Sequence, residues 1–310
     1  MSKKSIIENK NFNIKDSQNF LHSNKLVGEL LFKSNITKED FVVEIGPGKG
    51  KITNILSKIC GRVNAIEFDN ALANKLKDEF KNSNVTIIEM DFLKYNLPIH
   101  KYKVFSNIPF NITARILNKL LDSKNPPLDT FLIMQYEPFL KYAGEPYYTE
   151  SYKSLLYKPF FNTNILHRFS KFDFKPAPNA NIILGQFSYK DSSDIKPEDR
   201  DVWKDFLAFV FLEKGSTFKE KTKRIFSYNQ QKIISKENGI NDNSNITNWS
   251  YDFWLKIFKI YNSSMVSNDK KKLVNNSYEK MLQHDFNLEK IHRNRRQNSE
   301  KWTRRNIRKS

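Results

Sequence analysis

Cysteine is almost missing from this chain. Cys60 stands alone among 310 residues, which excludes an intramolecular disulfide. Histidine is nearly as scarce. The five (His22, His100, His167, His284 and His292) are scattered without metal-ligand spacing, so no metal site is expected. No apolar run approaches the roughly 20 residues of a membrane-spanning helix, and no membrane association is expected. The opening stretch, MSKKSIIENKNFNIKDSQ, is basic but has no apolar segment behind it, so it does not read as a secretory signal. The cytoplasm is the expected compartment. Glycine is rare too, yet three of the nine fall at positions 46, 48 and 50.

Positive charge and phenylalanine are abundant. Fifty-two Lys and Arg against 34 Asp and Glu give +18, a balance that attracts polyanions, nucleic acid above all. A coding bias toward Lys and Asn would raise the charge as well, and composition alone leaves both readings open. A hydrophobic fraction of 39% with 25 Phe supplies a core, and the length suits two domains. Residues 290–310 hold nine Lys or Arg and one acid. Arg293, Arg295, Arg296, Arg304, Arg305 and Arg308 are expected to contact RNA phosphates, the alternative being a solubilising tail.

Residues 1–18 are polar and read as a mobile arm. From there strand and helix patterns alternate: helix at 22–33, strand at 41–45, helix at 51–59, strand at 62–68, helix at 71–80 and strand at 85–90. A strand at 102–106, a helix at 113–121 and a strand at 130–134 continue the rhythm. This implies crossover units on a mainly parallel sheet, an α/β fold of the Rossmann-like kind. Segments 164–169 and 182–187 read as paired late strands, joined through Phe174-Lys175-Pro176-Ala177-Pro178. After Asp191 a linker leads to a helical pattern. The expected domains are 19–191 (α/β), 200–262 (small, all-helical) and 263–310 (basic tail).

Glu44-Ile45-Gly46-Pro47-Gly48-Lys49-Gly50 joins a strand to a helix, where glycine permits a sharp turn and close ligand approach. A structural turn or a dinucleotide fingerprint would look similar. The dinucleotide pattern wants glycine at its sixth place, where Lys51 stands, so a cofactor lacking a pyrophosphate suits the spacing better. The next strand ends at Glu67, 21 residues beyond Gly46, where a carboxylate can take two ribose hydroxyls. The strand after it ends in Met90-Asp91-Phe92. Three strand ends thus bring glycines and two acids to one sheet edge.

The fourth strand runs into Asn107-Ile108-Pro109-Phe110 on that same edge. Proline orders the turn, Asn107 offers an uncharged acceptor, and Phe110 offers a flat apolar face. A plain strand end with a proline turn and a core Phe would look the same; the position on that edge favours a site, and the set then meets the needs of adenine N6 methylation. The amine lone pair is delocalised, so acceptors at Asn107 and the Ile108 carbonyl must hold the two N–H bonds while Phe110 stacks on an extruded base. Positioning dominates, and no strong base adjoins the segment.

Here the residues resemble a known family. Gln18-Asn19-Phe20-Leu21, the 44–50 glycine motif and Asn107-Ile108-Pro109-Phe110-Asn111-Ile112-Thr113 are similar, in order and spacing, to the rRNA adenine N6-methyltransferases. That family comprises the erythromycin-resistance (Erm) methylases and the small-subunit dimethyladenosine transferases. The resemblance covers roughly residues 11–190, and 200–262 more loosely. It implies a Rossmann-like methyltransferase domain, a helical RNA-contacting domain and S-adenosylmethionine as methyl donor. It places Asn19, Leu21, Gly46, Gly48, Glu67, Phe68, Asp91, Phe92 and Asn107 around that cofactor: Glu67 on the ribose, Asp91 on the adenine amine, Asn19 and Leu21 near the methionine portion. Lys49 and Ile108 look more like the Erm branch, which implies a monomer acting on 23S rRNA near the peptidyl-transferase region. The alternatives are a 16S rRNA dimethyladenosine transferase and a non-catalytic RNA-binding protein on the same fold. Phe110 stands where Tyr is frequent, residues 137–159 match weakly, and Gly185 is expected to interrupt the last strand.

Overall fold

A computed structural model describes residues 20–283 except His22 and Asp242, with the backbone alone at Phe20. The arm expected at 1–18, Asn19 and the six tail arginines lie outside those residues. The described chain divides into two compact units: residues up to Lys141 with Phe160–Asp191, and Tyr142–Pro159 with the residues from Ser192 onward.

In the first unit, β1 (Phe20–Leu21) and α1 (Asn24–Phe32) precede β2 (Phe41–Ile45), α2 (Lys51–Ile59), β3 (Arg62–Glu67), α3 (Asn70–Glu79) and β4 (Val85–Glu89). Then come β5 (Lys103–Asn107), α4 (Thr113–Leu121), β6 (Asp129–Gln135), α5 (Tyr136–Ala143), β7 (Phe161–Arg168), β8 (Phe174–Lys175) and β9 (Ile182–Tyr189). Helix starts are set by side chains: Ser23 caps α1 by accepting from the Leu26 N–H, and Asp69 caps α3 by accepting from Leu72.

Seven strands form one sheet in the order β4-β3-β2-β5-β6-β9-β7. The first five in chain order are parallel, and β9 runs antiparallel between β6 and β7. The order reverses between β2 and β5. A crevice therefore opens at the carboxyl ends of those two strands, the place where open α/β sheets hold ligands. The amino edge is tied up instead. Lys103 donates to the Asn35 carbonyl at 2.7 Å and pairs with Asp40 at 3.0 Å. Asp129 accepts from Asn35, Gln186 and Ser188 at 2.8, 3.0 and 2.5 Å.

Two features differ from the sequence expectation. The segment joining the late strands is itself a strand: β8 pairs with β1, setting Leu21 opposite Phe174, both buried. Gly185 does not end β9, which runs through it, but the pairing with β7 slips there by one residue, between Ile165 and His167. A Cβ there would lie 2.7 Å from the Phe139 ring, so the glycine makes room for that ring against the sheet.

The second unit is helical, with α6 (Tyr152–Tyr157), α7 (Arg200–Leu212), α8 (Phe218–Thr222), α9 (Tyr228–Glu237), α10 (Tyr251–Asn262) and α11 (Asn268–Val274). Its core is an aromatic seam between α7 and α10: Trp203 with Phe258, Phe206 with Tyr261, and Phe211 with Trp254, at 5.0, 4.9 and 5.5 Å between ring centroids. The sequence reading counted residues 142–159 with the α/β part. They group with the helices because α6 packs on α7, where the Trp203 indole donates to the Leu155 carbonyl at 2.9 Å. The helical unit also continues past 262. Val266 and Val274 are buried, and Asp205 on α7 accepts from the Asn276 and Tyr278 N–H groups, both at 2.9 Å. Among the described residues no helix is long and apolar enough to cross a membrane.

Candidate active site

The switch point is built from the loop after β2 and the turn after β5. The two strands pair only at Val42–Lys103 and Val43–Val104 and then part. Where the ladder stops, the buried Ser106 hydroxyl accepts the Ile45 N–H at 2.6 Å, so that donor is not orphaned. Gly46 follows at φ +64°, its N–H on the Ile66 carbonyl at 2.9 Å. Gly50 starts α2 at φ +77°, with its would-be Cβ 2.7 Å from Leu76 on α3. Any other residue there would combine strain with a clash.

Glu67 ends β3 and is 3% exposed. One carboxylate oxygen accepts the Gly48 N–H at 3.0 Å and the other the Asp69 N–H at 2.9 Å. The acid therefore braces the glycine loop against the start of α3, and each oxygen keeps a further lone pair for a ligand hydroxyl. Phe68 beside it is 62% exposed. Asp91, beyond β4, is half-buried and caps the one-turn helix Phe92–Lys94 by accepting from Leu93. Phe92 turns its ring into the core, near Tyr95, so what it can present to a ligand is its backbone. Lys119 on α4 steadies this turn by donating to the Leu93 carbonyl at 3.0 Å, and burial lowers its pKa.

Asn107 ends β5, half-buried, level with Ile133 of β6. Ile108 is buried and donates its N–H to the Ile133 carbonyl at 3.2 Å. Pro109 then precedes a single turn, Phe110–Ile112, which the Thr113 hydroxyl ties to the Phe110 carbonyl at 3.1 Å. The half-buried Phe110 packs on the core cluster that includes Leu21 and Phe174. Gly46, Gly48, Glu67, Asp91, Asn107 and Phe110 thus lie on one sheet edge. Leu21 sits in the core beneath it.

Sequence reasoning passed over two residues, Ser106 and Glu44. Glu44 is an acid in an otherwise apolar strand, 1% exposed, with one carboxylate oxygen unpartnered. Burial pushes its pKa up to about 8; Thr53 opposes the shift and the Glu67 charge adds to it. The carboxyl is therefore protonated in the folded protein at pH values where the unfolded chain ionises. Stability from this source is complete below pH 4.5 and is lost as pH rises through about 8. Glu44→Gln should accordingly abolish the fall in melting temperature expected of the cofactor-free parent between pH 5 and 8, worth up to ~1.4 kcal/mol per pH unit. Superimposable pH profiles for the two proteins would contradict this.

The loop suits the cofactor that the resemblance implies. A Cβ added at Gly46 would meet no atom within 4 Å, which leaves open space along the backbone. Among the described residues no His, Cys, Asp or Glu group is placed to hold a metal ion.

Comparison with known proteins agrees with this geometry. The family model described as ribosomal RNA adenine dimethylase matches residues 9–263. A Bacteroides fragilis rRNA adenine N-6-methyltransferase is 32% identical over 250 residues, spanning 78% of this chain and 90% of the relative. An Escherichia coli protein of the same name is 29% identical over 263 residues, 84% of this chain and all of the relative. Among solved structures, the 23S rRNA methyltransferase ErmE superposes with a TM-score of 0.70 at 20% identity, over 79% of this chain and the whole of ErmE. A Plasmodium falciparum dimethyladenosine transferase gives 0.65 at 19% identity, over 79% of this chain and 98% of that one. Both share the fold. With the family model spanning both units and a relative matched over nine-tenths of its length, the chain belongs to the ribosomal RNA adenine dimethylases, S-adenosylmethionine-dependent methyltransferases acting on adenine N6.

Proposed function

We propose that this protein methylates N6 of an adenine in 23S rRNA near the peptidyl-transferase region, adding two methyl groups, and so confers resistance to macrolides, lincosamides and streptogramin B. It acts as a monomer in the cytoplasm. The observation that carries the reading is the Asn107–Phe110 turn at the switch point, directly across the crevice from the glycine loop. Lys49 in that loop and Ile108 in the turn support the 23S branch through their resemblance to the Erm methylases.

S-adenosylmethionine supplies an activated methyl group on its sulfonium. The protein's share is placement. Gly46, Gly48, Glu67 and Asp91 would hold the cofactor, with Glu67 toward the ribose and Asp91 toward the adenine amine. Asn107 Oδ1 and the Ile108 carbonyl would accept the two N–H bonds of the target amine, which draws its lone pair out of conjugation and aims it. Phe110 would stack on the extruded base, supplying about 1–3 kcal/mol. The amine proton is released after transfer, so no strong base is needed beforehand.

The test is mass spectrometry of rRNA adenines from a macrolide-sensitive bacterium with and without this protein, alongside its macrolide sensitivity. Dimethyladenine in 23S rRNA with raised resistance is the expected result. Dimethyladenine confined to 16S rRNA, with sensitivity unchanged, would overturn the 23S assignment.

A further inference from the structure

Helix α4 begins directly after the Asn107–Phe110 turn and reaches a second part of the site further along. Thr113, its first residue, ties the Phe110 carbonyl at 3.1 Å. Lys119 lies about 9 Å on along the helix axis, at a rise of about 1.5 Å per residue. Its ammonium donates to the Leu93 carbonyl at 3.0 Å. Leu93 belongs to the one-turn helix Phe92–Lys94, which Asp91 caps. Ile116, Leu117, Leu120 and Leu121 are buried, so α4 is anchored along its apolar side and Lys119 projects from a fixed element.

The ammonium has two further neighbours. It lies 5.6 Å from the centroid of the buried Phe92 ring. Burial lowers its pKa and the Asp91 charge acts against that shift, so the two charges interact. Drawing an ammonium partly out of water costs solvation, which the carbonyl, the ring face and the carboxylate together offset. Asp91 in turn commits Oδ1 to the Leu93 N–H at 2.9 Å. The N–H of Leu93 is therefore held by Asp91 and its carbonyl by Lys119. The Lys94 and Tyr95 N–H groups close the turn on the Asp91 and Phe92 carbonyls at 2.9 and 3.0 Å.

With Oδ1 engaged, Asp91 Oδ2 is the oxygen that would accept the amine of the cofactor's adenine, and its place depends on how firmly the turn is held. Resting on the methyltransferase reading above, we propose that Lys119 is a positioning residue for the adenine end of the methyl donor. By holding the Leu93 carbonyl it keeps Asp91 aimed at the amine, and so sets the preference for adenine over a purine with a carbonyl in the amine's place. Such a purine presents an acceptor where adenine presents a donor. A carboxylate held in place rejects it, and a loosened one discriminates less. Lys119 acts through Asp91 and the turn, and its loss falls on cofactor affinity. The transfer step keeps its own supports at Asn107 and Ile108.

The test is calorimetry of the full chain with S-adenosylhomocysteine, the product left after transfer, and with its inosine counterpart, in which a carbonyl replaces the amine. Lys119→Met keeps the length of the side chain and removes donor and charge. It should weaken the adenine ligand about 10-fold, the lower end for loss of a charged hydrogen bond, and the inosine ligand by less than about 2-fold. In steady-state methylation the same change should raise KM for S-adenosylmethionine and leave kcat at the parental value. Lys119→Arg, which keeps a donor and the charge, should keep the parental preference. Lys124→Met, at an exposed lysine just after α4, should alter nothing. Equal losses on both ligands, parental affinities in Lys119→Met, or a Lys119→Arg protein as impaired as Lys119→Met would each overturn the proposal. A parent that binds neither ligand overturns the methyltransferase reading and this inference with it. A parent that prefers the adenine ligand, beside an unaltered Lys119→Met protein, overturns this inference alone.

Discussion

Replacing Asn107 with alanine is expected to slow methyl transfer by about 10²- to 10³-fold, the usual cost of removing one preorganised polar contact to a reacting group. RNA affinity and melting temperature should stay near those of the parent. Asn107 is the last residue of β5, anchored by its backbone in the sheet, and its side chain is only half-buried. The change therefore removes an acceptor without opening a core cavity. Phe110→Leu is the contrasting case: it keeps bulk against the core cluster and loses the flat face. It should retain cofactor affinity and lower kcat/KM. Single-turnover transfer paired with RNA-binding measurements separates the two. Transfer by Asn107→Ala at the parental rate would sink the proposed role of the turn.

Glu67→Gln should fail at an earlier stage. The parental carboxylate accepts two backbone N–H groups, from Gly48 and Asp69, while nearly fully buried. An amide cannot accept on both sides. One of those N–H groups must face an NH2, and an unsatisfied buried donor costs ~1–3 kcal/mol. The charge assistance of the remaining bond is lost as well. The glycine loop then loses its brace and the ribose its acceptor. Calorimetry should show S-adenosylmethionine binding weakened at least ~10-fold, with a drop of several degrees in melting temperature. Removal of the Glu67 charge should also lower the Glu44 pKa, which that charge helps to raise. Unchanged cofactor affinity would mean that Glu67 serves the loop alone.

The legible parts of the fold were those with strong periodicity and marked ends. The runs at 41–45, 51–59 and 113–121 occur as β2, α2 and α4 with those same bounds, because each pairs an apolar pattern with a clear break. The crossover rhythm implied the parallel sheet. The β1–β8 pairing was illegible for a physical reason: two residues on each side carry no alternation to detect, and the partners are over 150 residues apart. Gly185 misled because a glycine in a strand normally signals interruption, whereas here a ring from α5 fills the missing side chain's place. At the site, spacing sufficed to bring the glycines, Glu67, Asp91 and Asn107 to one edge. It could not show that Phe92 buries its ring, or that Glu44 is protonated, since both depend on what other elements pack against them.

The Ser106 hydroxyl, met above as a substitute for a missing ladder bond, also acts as a gauge block. The loop that would seat the methyl donor hangs from β2, and the turn that would seat the base hangs from β5. Past Val43 and Val104 no ladder bond holds those strands in step. The 2.6 Å contact of Ser106 with Ile45 helps to set the spacing between the two halves of an in-line displacement. Displacements of about 1 Å can cost a hundredfold in rate. A Ser106→Ala protein would thus bind donor and acceptor at parental strength yet turn over slowly, its two seats intact and out of alignment.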